Sequence, residues 1–271
     1  MRDEYTAVTR FADLDTQRHV TSRTYESFAL EGRYRLLAKL GYPHERIQNE
    51  QIYLNAVSGY AKFHRQQFPG VELKVVTEAS PSGTQIHWDQ KIFEPSGELV
   101  CHLQLLTQGV AIPELTGENA EPVLYEPLNP WSGQGERIVA QYTMPYADRD
   151  FAGKYNLASL WKIFEEGRWL FVEKVGLTYE KIVELDTTSF YMGGICNIFA
   201  EVPAGRTLQL MTWIERIDKI RYWFRQDVLH NGKVLMSMRD EQLIVSLSRA
   251  RPQRATPEFL KYIGKYIEYP A

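Results

Sequence analysis

The beginning of the chain shows two periodicities on either side of a short polar stretch. Tyr5 to Phe11 alternate between apolar and polar side chains, which is typical of a β-strand. After the polar stretch, apolar residues recur every three or four positions and predict a long helix that Gly41 and Pro43 end. The predicted apolar face of this helix consists of Tyr25, Phe28, Ala29, Gly32, Leu36 and Leu40, with Glu26, Arg33 and Lys39 on its other faces.

Four further strands follow the predicted helix. The turns between them combine proline, whose φ is fixed, with glycine, whose φ is free. The predicted strands span residues 51–65, 71–79, 84–93 and 99–112. A strand, a long helix and an antiparallel meander give an α+β fold, in which the helix buries its apolar face on the sheet.

The same plan occurs a second time at a constant spacing of 135 positions, the interval from Asp15 to Asp150. Such internal repetition indicates a duplicated domain. The further matches, taken without a gap, are Gly41 with Gly176, Gly70 with Gly205, Trp88 with Trp223, and Gly97 with Gly232. We therefore predict a first domain at residues 1–112, a proline-rich linker at 113–136 and a second domain at 137–271.

The second domain repeats the order of elements. We predict a helix that begins near Asn156, and a C-terminal tail at 257–269 that packs on the body as a short helix because its apolar residues have helical spacing. The predicted strands of this domain span residues 137–145, 188–202, 207–217, 220–229 and 233–247.

Composition and charge narrow the class of partner. The 271 residues are 44% hydrophobic and carry a net charge of −3, so we expect neither a nucleic acid nor a membrane as partner. Cys101 and Cys196 form no disulfide framework, and no leader or apolar run of about 18 residues is present, which predicts a cytoplasmic protein. The histidines and cysteines lack metal-ligand spacing, so we predict no metal site and no cofactor.

The polar stretch before the first helix concentrates groups that can perform chemistry. An Asp-x-Asp sequence at this place is often only an acidic first turn that the helix dipole stabilises, and a lone histidine is more often a surface residue than a catalyst. We expect Asp13 and its repeat equivalent Asp148 to brace their loops through hydrogen bonds to backbone N–H groups. The other polar residues of the stretch are Asp15, Gln17, His19, Thr21 and Ser22.

The arrangement of elements, present twice, resembles a tandem hotdog protein. The segment Asp13-Leu-Asp-Thr-Gln-Arg-His-Val-Thr-Ser22 is similar to the Asp-Leu-Asp-x-Asn-x-His-Val-Asn-Asn signature of acyl-acyl carrier protein thioesterases. Asp15, Gln17 and His19 stand where that family has its Asp, Asn and His. The chain departs from the plant enzymes because Gln17 replaces Asn, and because the full motif lies in the first repeat instead of the second. The catalytic Glu of that family falls near Gln66, whereas the second repeat has Glu201.

The second loop, Asp150-Phe-Ala-Gly153, is similar to the Asp-x-x-Gly loop of single-domain acyl-CoA thioesterases of the 4-hydroxybenzoyl-CoA type. It has Lys154 where the first loop has His19. The resemblance implies that either loop can hold the working site, with Asp150 as the candidate in the second repeat. We favour the first loop.

The resemblance implies hydrolysis of acyl thioesters, with Asp15 as base or nucleophile. His19 orients water or donates to the carbonyl oxygen, and Gln17 holds that water or that oxygen in place. Backbone N–H groups at the helix start, from Thr21 through Ser22 to Arg23, polarise the carbonyl. Tyr25 and Phe28 line a tunnel for the acyl chain between the helix and the sheet.

The expected substrate is an acyl thioester of coenzyme A or of acyl carrier protein, and the sequence leaves both carriers open. An acidic carrier protein requires a basic surface, for which Arg18, Arg23, Arg33 and Arg35 are candidates. The two repeats are expected to pack as an internal pseudo-dimer, which leaves a homodimer of pseudo-dimers open. The alternative function is a non-catalytic acyl or acyl-CoA binding protein. A hotdog dehydratase or hydratase would need a different arrangement of His and acid residues, which this sequence does not show.

Overall fold

The computed structural model describes residues 1–16, 18–108, 112–115 and 128–269. Gln17 and most of the predicted linker lie outside these described residues. The chain divides into two compact units, the first formed by Met1–Tyr125 with Tyr146–Lys162 and the second by Glu126–Pro145 with Ile163–Ala271. Among the described residues, no helix is long and apolar enough to cross a membrane.

The first unit consists of a long helix on an antiparallel sheet. The sheet has the strand order β1-β3-β4-β5-β2, so the strand that precedes the helix pairs with the second strand of the meander. Gly41, at a φ of +89°, follows the helix as predicted. The elements are β1 (Arg2–Val8), α1 (Ser22–Lys39), α2 (His44–Asn49), β2 (Asn55–Phe63), β3 (Glu72–Ser82), β4 (Gln85–Phe93) and β5 (Leu99–Gln108).

The second unit repeats this plan with the strand order β7-β10-β9-β8-β6. Its C-terminal tail confirms the predicted short helix, because Phe259, Ile263 and Tyr266 are buried in one cluster with Phe171 and Phe224. The elements are β6 (Ile138–Thr143), α3 (Leu157–Lys174), α4 (Tyr179–Glu184), β7 (Thr188–Ile198), β8 (Thr207–Asp218), β9 (Arg221–His230), β10 (Lys233–Ser246), β11 (Arg251–Pro252) and α5 (Pro257–Ile263).

The alignment of the two repeats contains a shift of one residue that the sequence did not reveal. Thr77 pairs with Gln90 in the first sheet, and Thr212 pairs with Gln226 in the second. The interval is therefore 135 for the threonines and 136 for the glutamines. A β-bulge between Ile214 and Arg216 supplies the additional residue, Glu215.

This shift changes the assignment of aromatic core residues. The predicted match of Trp88 with Trp223 is wrong by one position. Trp88 pairs with Ala79 in the first sheet, and Phe224 pairs with Ile214, the equivalent of Ala79, in the second. Trp88 and Phe224 are both fully buried. Trp223 faces the other side of its sheet, where the guanidinium of Arg216 stacks on its ring at 4.3 Å.

Two short helices, α2 and α4, follow the long helices and were not predicted. Each contains a single buried apolar residue, Ile47 in α2 and Ile182 in α4. A six-residue helix with one apolar position offers too few repeats for a periodic pattern. The strand after α2 was predicted to begin at residue 51, whereas β2 begins at Asn55.

Candidate active site

The stretch from Leu14 to Val20, called here the Asp15 loop, is closed at its base by an antiparallel bridge between these two residues. The Asp15 N–H donates to the His19 carbonyl oxygen at 2.9 Å. The His19 N–H donates in return to Asp15 Oδ1 at 3.1 Å. The Asp15 side chain is exposed. The loop thus fixes a solvent-accessible carboxylate just before the first turn of α1.

Asp13 braces the base of this loop, as predicted. Its Oδ2 accepts a hydrogen bond from the Arg10 N–H at 2.7 Å, and its Oδ1 accepts one from Arg10 Nη2 at 2.8 Å. For Asp148 the predicted type of partner is wrong. Its Oδ1 accepts from Lys162 Nζ at 2.6 Å, which is a side-chain donor and not a backbone N–H group. Both carboxylates hold their loops through fixed partners, which supports a structural role for them.

His19 is half-buried in the Asp15 loop. Its ring lies edge-on to Phe68, with 5.9 Å between the ring centroids. Burial lowers the pKa of His19, and the nearby Asp15 carboxylate opposes that shift. At neutral pH the imidazole is therefore uncharged and has one nitrogen that can accept a proton.

The start of α1 offers fewer donors than the sequence predicted. The Thr21 N–H donates to the Asp13 carbonyl oxygen at 2.9 Å and is therefore not available to a substrate. The Thr21 hydroxyl lies 3.0 Å from that of Thr24 and does not cap the helix. Of the three amides expected to polarise the carbonyl, that of Thr21 is thus already used within the loop. The Arg23 side chain is half-buried, and its carbonyl oxygen accepts from the Ser27 hydroxyl.

Tyr25 and Phe28 lie on the same helix as predicted, at different depths. Tyr25 is buried, and its ring packs on Phe63 with 5.4 Å between centroids. Its hydroxyl has no hydrogen-bond partner among the described residues, and burial raises the pKa of this phenol. Phe28 is half-buried, and its carbonyl oxygen accepts from the Tyr5 hydroxyl at 2.7 Å.

The Asp150 loop, residues 150–154, has the hydrogen bonds of the Asp15 loop. The Asp150 N–H donates to the Lys154 carbonyl oxygen at 2.7 Å, and the Lys154 N–H donates to Asp150 Oδ1 at 3.2 Å. Oδ1 also accepts from the Ala152 N–H at 2.9 Å. The positive φ angles match as well, at 66° for Arg18 and 71° for Gly153. Each aspartate therefore has a loop-forming role whether or not it is catalytic.

The surroundings of the Asp150 loop are aromatic. Phe151 lies edge-on to Tyr34 of α1 at 5.8 Å between centroids and 6.5 Å from Tyr53. Lys154 Nζ lies 5.5 Å from the centroid of the Tyr53 ring. Burial, and secondarily the Asp150 carboxylate, raises the pKa of Tyr34 to about 12. No local sequence pattern predicted this cluster, because Tyr34 and Tyr53 are far from Asp150 along the chain.

A buried polar network beneath α1 was also not predicted. Arg33 donates to Gln90 Oε1 at 2.6 Å and forms an ion pair with Glu26. Gln90 Nε2 donates to the Ala29 carbonyl oxygen at 2.7 Å and to the Thr77 hydroxyl at 2.8 Å. Burial raises the pKa of Glu26, and the Arg33 charge opposes that rise.

This network overturns two expectations. Arg33 is only 1% exposed, so it does not contribute to a basic surface for a carrier protein. Glu26 and Arg33 also do not lie on a solvent face of the helix. Their spacing of seven positions places them on one side of α1, together with the predicted apolar residue Ala29, and this spacing was the available signal.

The two positions aligned with the catalytic Glu of the resembled family are at the surface. Gln17 lies outside the described residues. Gln66 and Glu201 are exposed, and both cysteines are buried as expected. In the described part of the chain, no three His, Cys, Asp or Glu side chains are grouped so that they could hold a metal ion.

No protein-family model matches the sequence, and no curated protein matches it. Solved structures do resemble the chain. A Lactobacillus plantarum protein assigned as an oleoyl thioesterase has a TM-score of 0.74 at 11% identity, covering 90% of this chain and 97% of its own. A 12:0-ACP thioesterase from Umbellularia californica has a TM-score of 0.69 at 12% identity, covering 93% and 98%.

An acyl-ACP thioesterase from Bacteroides thetaiotaomicron also matches, with a TM-score of 0.62 at 13% identity, covering 89% of this chain and 97% of its own. These likenesses extend over both repeats. At such low identity they establish the architecture alone. The chain has the tandem hotdog fold that its sequence predicted, with a long helix on an antiparallel sheet in each repeat.

Proposed function

We propose that the protein hydrolyses acyl thioesters of coenzyme A or of acyl carrier protein, with the working site at the Asp15 loop. The observation that carries the proposal is the closed loop itself. It holds an exposed carboxylate and a half-buried, neutral imidazole next to the start of an 18-residue helix. A carboxylate can act as base, an imidazole can orient water and helix N-terminal amides can stabilise an oxyanion, and thioester hydrolysis uses these three functions.

In the proposed reaction, Asp15 takes a proton from water while the water oxygen bonds to the thioester carbonyl carbon. The Arg23 amide, at the positive end of α1, stabilises the oxyanion that forms. When the carbon–sulfur bond breaks, the sulfur leaves with its electron pair and receives the proton. The products are a carboxylic acid and a free thiol.

Asp15 can also act by attacking the carbonyl carbon directly, which displaces the thiolate and forms an anhydride. Water then hydrolyses the anhydride. The product receives its oxygen from Asp15, and not from water, when water attacks the anhydride at the Asp15 carbonyl carbon. A single turnover in ¹⁸O-water places the label in the product acid if Asp15 is a base, and in the Asp15 carboxylate if water attacks the anhydride at Asp15.

His19 provides a pH signature for the proposed site. Because burial lowers its pKa, the imidazole stays neutral at and somewhat below pH 6.5, the ordinary value for histidine. If neutral His19 orients the water, kcat/KM falls only at a pH below 6.5. The His19→Gln variant keeps the loop backbone. We expect it to lose this decrease of kcat/KM at acidic pH.

The structural neighbours support the type of reaction, since all three are assigned as thioesterases and two of them act on ACP thioesters. The alternative, an acyl or acyl-CoA binding protein without turnover, has its own support. Asp15 Oδ1 and Asp150 Oδ1 each accept a loop amide, so both aspartates have a structural reason to be present.

Release of free thiol from a panel of acyl-CoAs and acyl-ACPs distinguishes these functions and identifies the carrier. The proposed hydrolase produces thiol at a rate proportional to enzyme concentration, and His19→Gln changes the pH profile of that rate. Calorimetric binding of acyl-CoA without any thiol release would establish the binding protein instead.

A further inference from the structure

The space between α1 and its sheet is closed midway along the helix. Gly32 faces the sheet, and a Cβ atom built on it would overlap the Thr77 hydroxyl oxygen. The backbone of α1 therefore lies directly against β3 at this point. An alkyl chain needs contact distances of about 4 Å on each side. No chain can pass between helix and sheet at Gly32 without moving one of them.

The closure is held by the buried polar network. Gln90 bonds to the helix carbonyl of Ala29 and to Thr77, and its side-chain oxygen accepts from Arg33. Gln90 is fully buried and Thr77 is 1% exposed. Separating these groups to admit an apolar chain would leave buried donors and acceptors unpaired, which is unfavourable for each group. The closure therefore resists opening by an apolar chain.

The second unit has the same closure from its own residues. A Cβ built on Gly167 would overlap Gln226 Oε1 and would lie 3.6 Å from the Thr212 hydroxyl. Gln226 Nε2 donates to the Phe164 carbonyl oxygen at 3.1 Å, as Gln90 does to that of Ala29. Each closure is therefore part of the repeated plan and provides a control for the other.

From these contacts we infer that Thr77 and Gln90 form the closed end of the acyl site and that the substrates carry short acyl groups. The inference rests on the proposed function, with the acyl chain entering at the Asp15 loop and passing Tyr25. From Ser22 to Ala29 the helix rises about 10 Å at 1.5 Å per residue. That length accommodates about eight carbons of an extended chain.

Binding of S-alkyl pantetheine thioethers tests the length limit without turnover. These compounds cannot be hydrolysed, and they contain the arm shared by coenzyme A and acyl carrier protein. In an open groove each added methylene strengthens binding by up to about fourfold. We expect affinity to rise from butyl to octyl and then to fall, at least about tenfold, by hexadecyl. Affinity that continues to rise to hexadecyl would overturn the inference.

Variants locate the closure. Thr77→Ala and Gln90→Ala open the first unit and should reduce the octyl-to-hexadecyl preference, whereas Thr212→Ala and Gln226→Ala should leave it unchanged. Thermal melting checks that each variant folds. If Gln90→Ala does not fold, Thr77→Ala provides the same test as the milder change. A preference altered only by the second-unit variants, or by none, would contradict this assignment. Failure of the proposed function is separate, since it appears as absent thiol release with acyl thioesters of any length.

Discussion

The Asp15 loop and the Asp150 loop share a backbone and differ in the side chains that it presents. Both have the reciprocal hydrogen bonds between the aspartate and the residue four positions later, and both have a positive φ at the residue before it. The first presents His19, and the second presents Lys154. A neutral imidazole can accept a proton, whereas a lysine ammonium cannot.

The comparison shows that the aspartate alone does not identify the working site. Its hydrogen bonds to loop amides explain its presence in both repeats. Chemistry must be argued from the residues that differ, and these favour the Asp15 loop. The same repeats allow these structural claims to be tested in pairs, because the residues concerned have equivalents in the other repeat.

The largest expected effect concerns the two buried ion pairs beneath the helices. Arg33 pairs with Glu26 of its own helix, whereas Arg168 pairs with Asp240 of β10 at 2.8 Å. Glu26→Gln leaves the buried Arg33 guanidinium without its counter-ion, which typically costs about 3–5 kcal/mol. Asp240→Asn does the same to Arg168, whose side chain is 15% exposed, so its cost is expected at the lower end of that range. Urea unfolding should show a large loss for both variants. The exposed Glu31→Gln serves as control, and a loss under about 1 kcal/mol for either pair would contradict its burial.

A smaller effect is expected from the left-handed residue of each loop. Arg18 adopts a φ of 66° where the second loop has Gly153 at 71°. A side chain in this region costs about 1–2 kcal/mol, so Gly153→Arg should destabilise the protein by about that amount. Arg18→Gly should give a smaller gain, because glycine also increases the entropy of the unfolded chain. Equal melting temperatures for wild type and Gly153→Arg would show that a side chain at this left-handed position has no such cost.

The smallest effect separates the two helix starts. The Asn156 side chain accepts a hydrogen bond from the Ser159 N–H at 3.0 Å and caps α3, whereas the Thr21 hydroxyl is directed to Thr24. Asn156→Ala should therefore cost about 1 kcal/mol, and Thr21→Ala less. Thermal denaturation of the two variants side by side checks this difference. A greater loss for Thr21→Ala would mean that its hydroxyl does cap α1.

The long elements were predictable because each repeats its pattern many times. The apolar face of α1 and the strands of both meanders follow from periodicity, and the duplication doubled the signal. The boundaries were less accurate, as at Asn55, and the bulge at Glu215 was invisible because one additional residue leaves the alternation on either side intact.

The site was predictable only where its members are close in sequence. Asp15 and His19 are four positions apart, and the structure brings them together in one loop. Gln90 and Thr77 come from strands that contact α1 only after folding, so no local pattern reveals them. Arg33 was misplaced because a charged residue is assigned to the surface by default, although a partner such as Glu26 can keep it buried.

The most direct test of the account compares thioester hydrolysis by Asp15→Asn and Asp150→Asn. In each variant the asparagine oxygen can still accept the loop amide, so the backbone is retained while the base is lost. We expect Asp15→Asn to lower kcat/KM by at least about 100-fold and Asp150→Asn to lower it less than about threefold. A large loss confined to Asp150→Asn would place the working site in the second repeat and contradict the role assigned to His19.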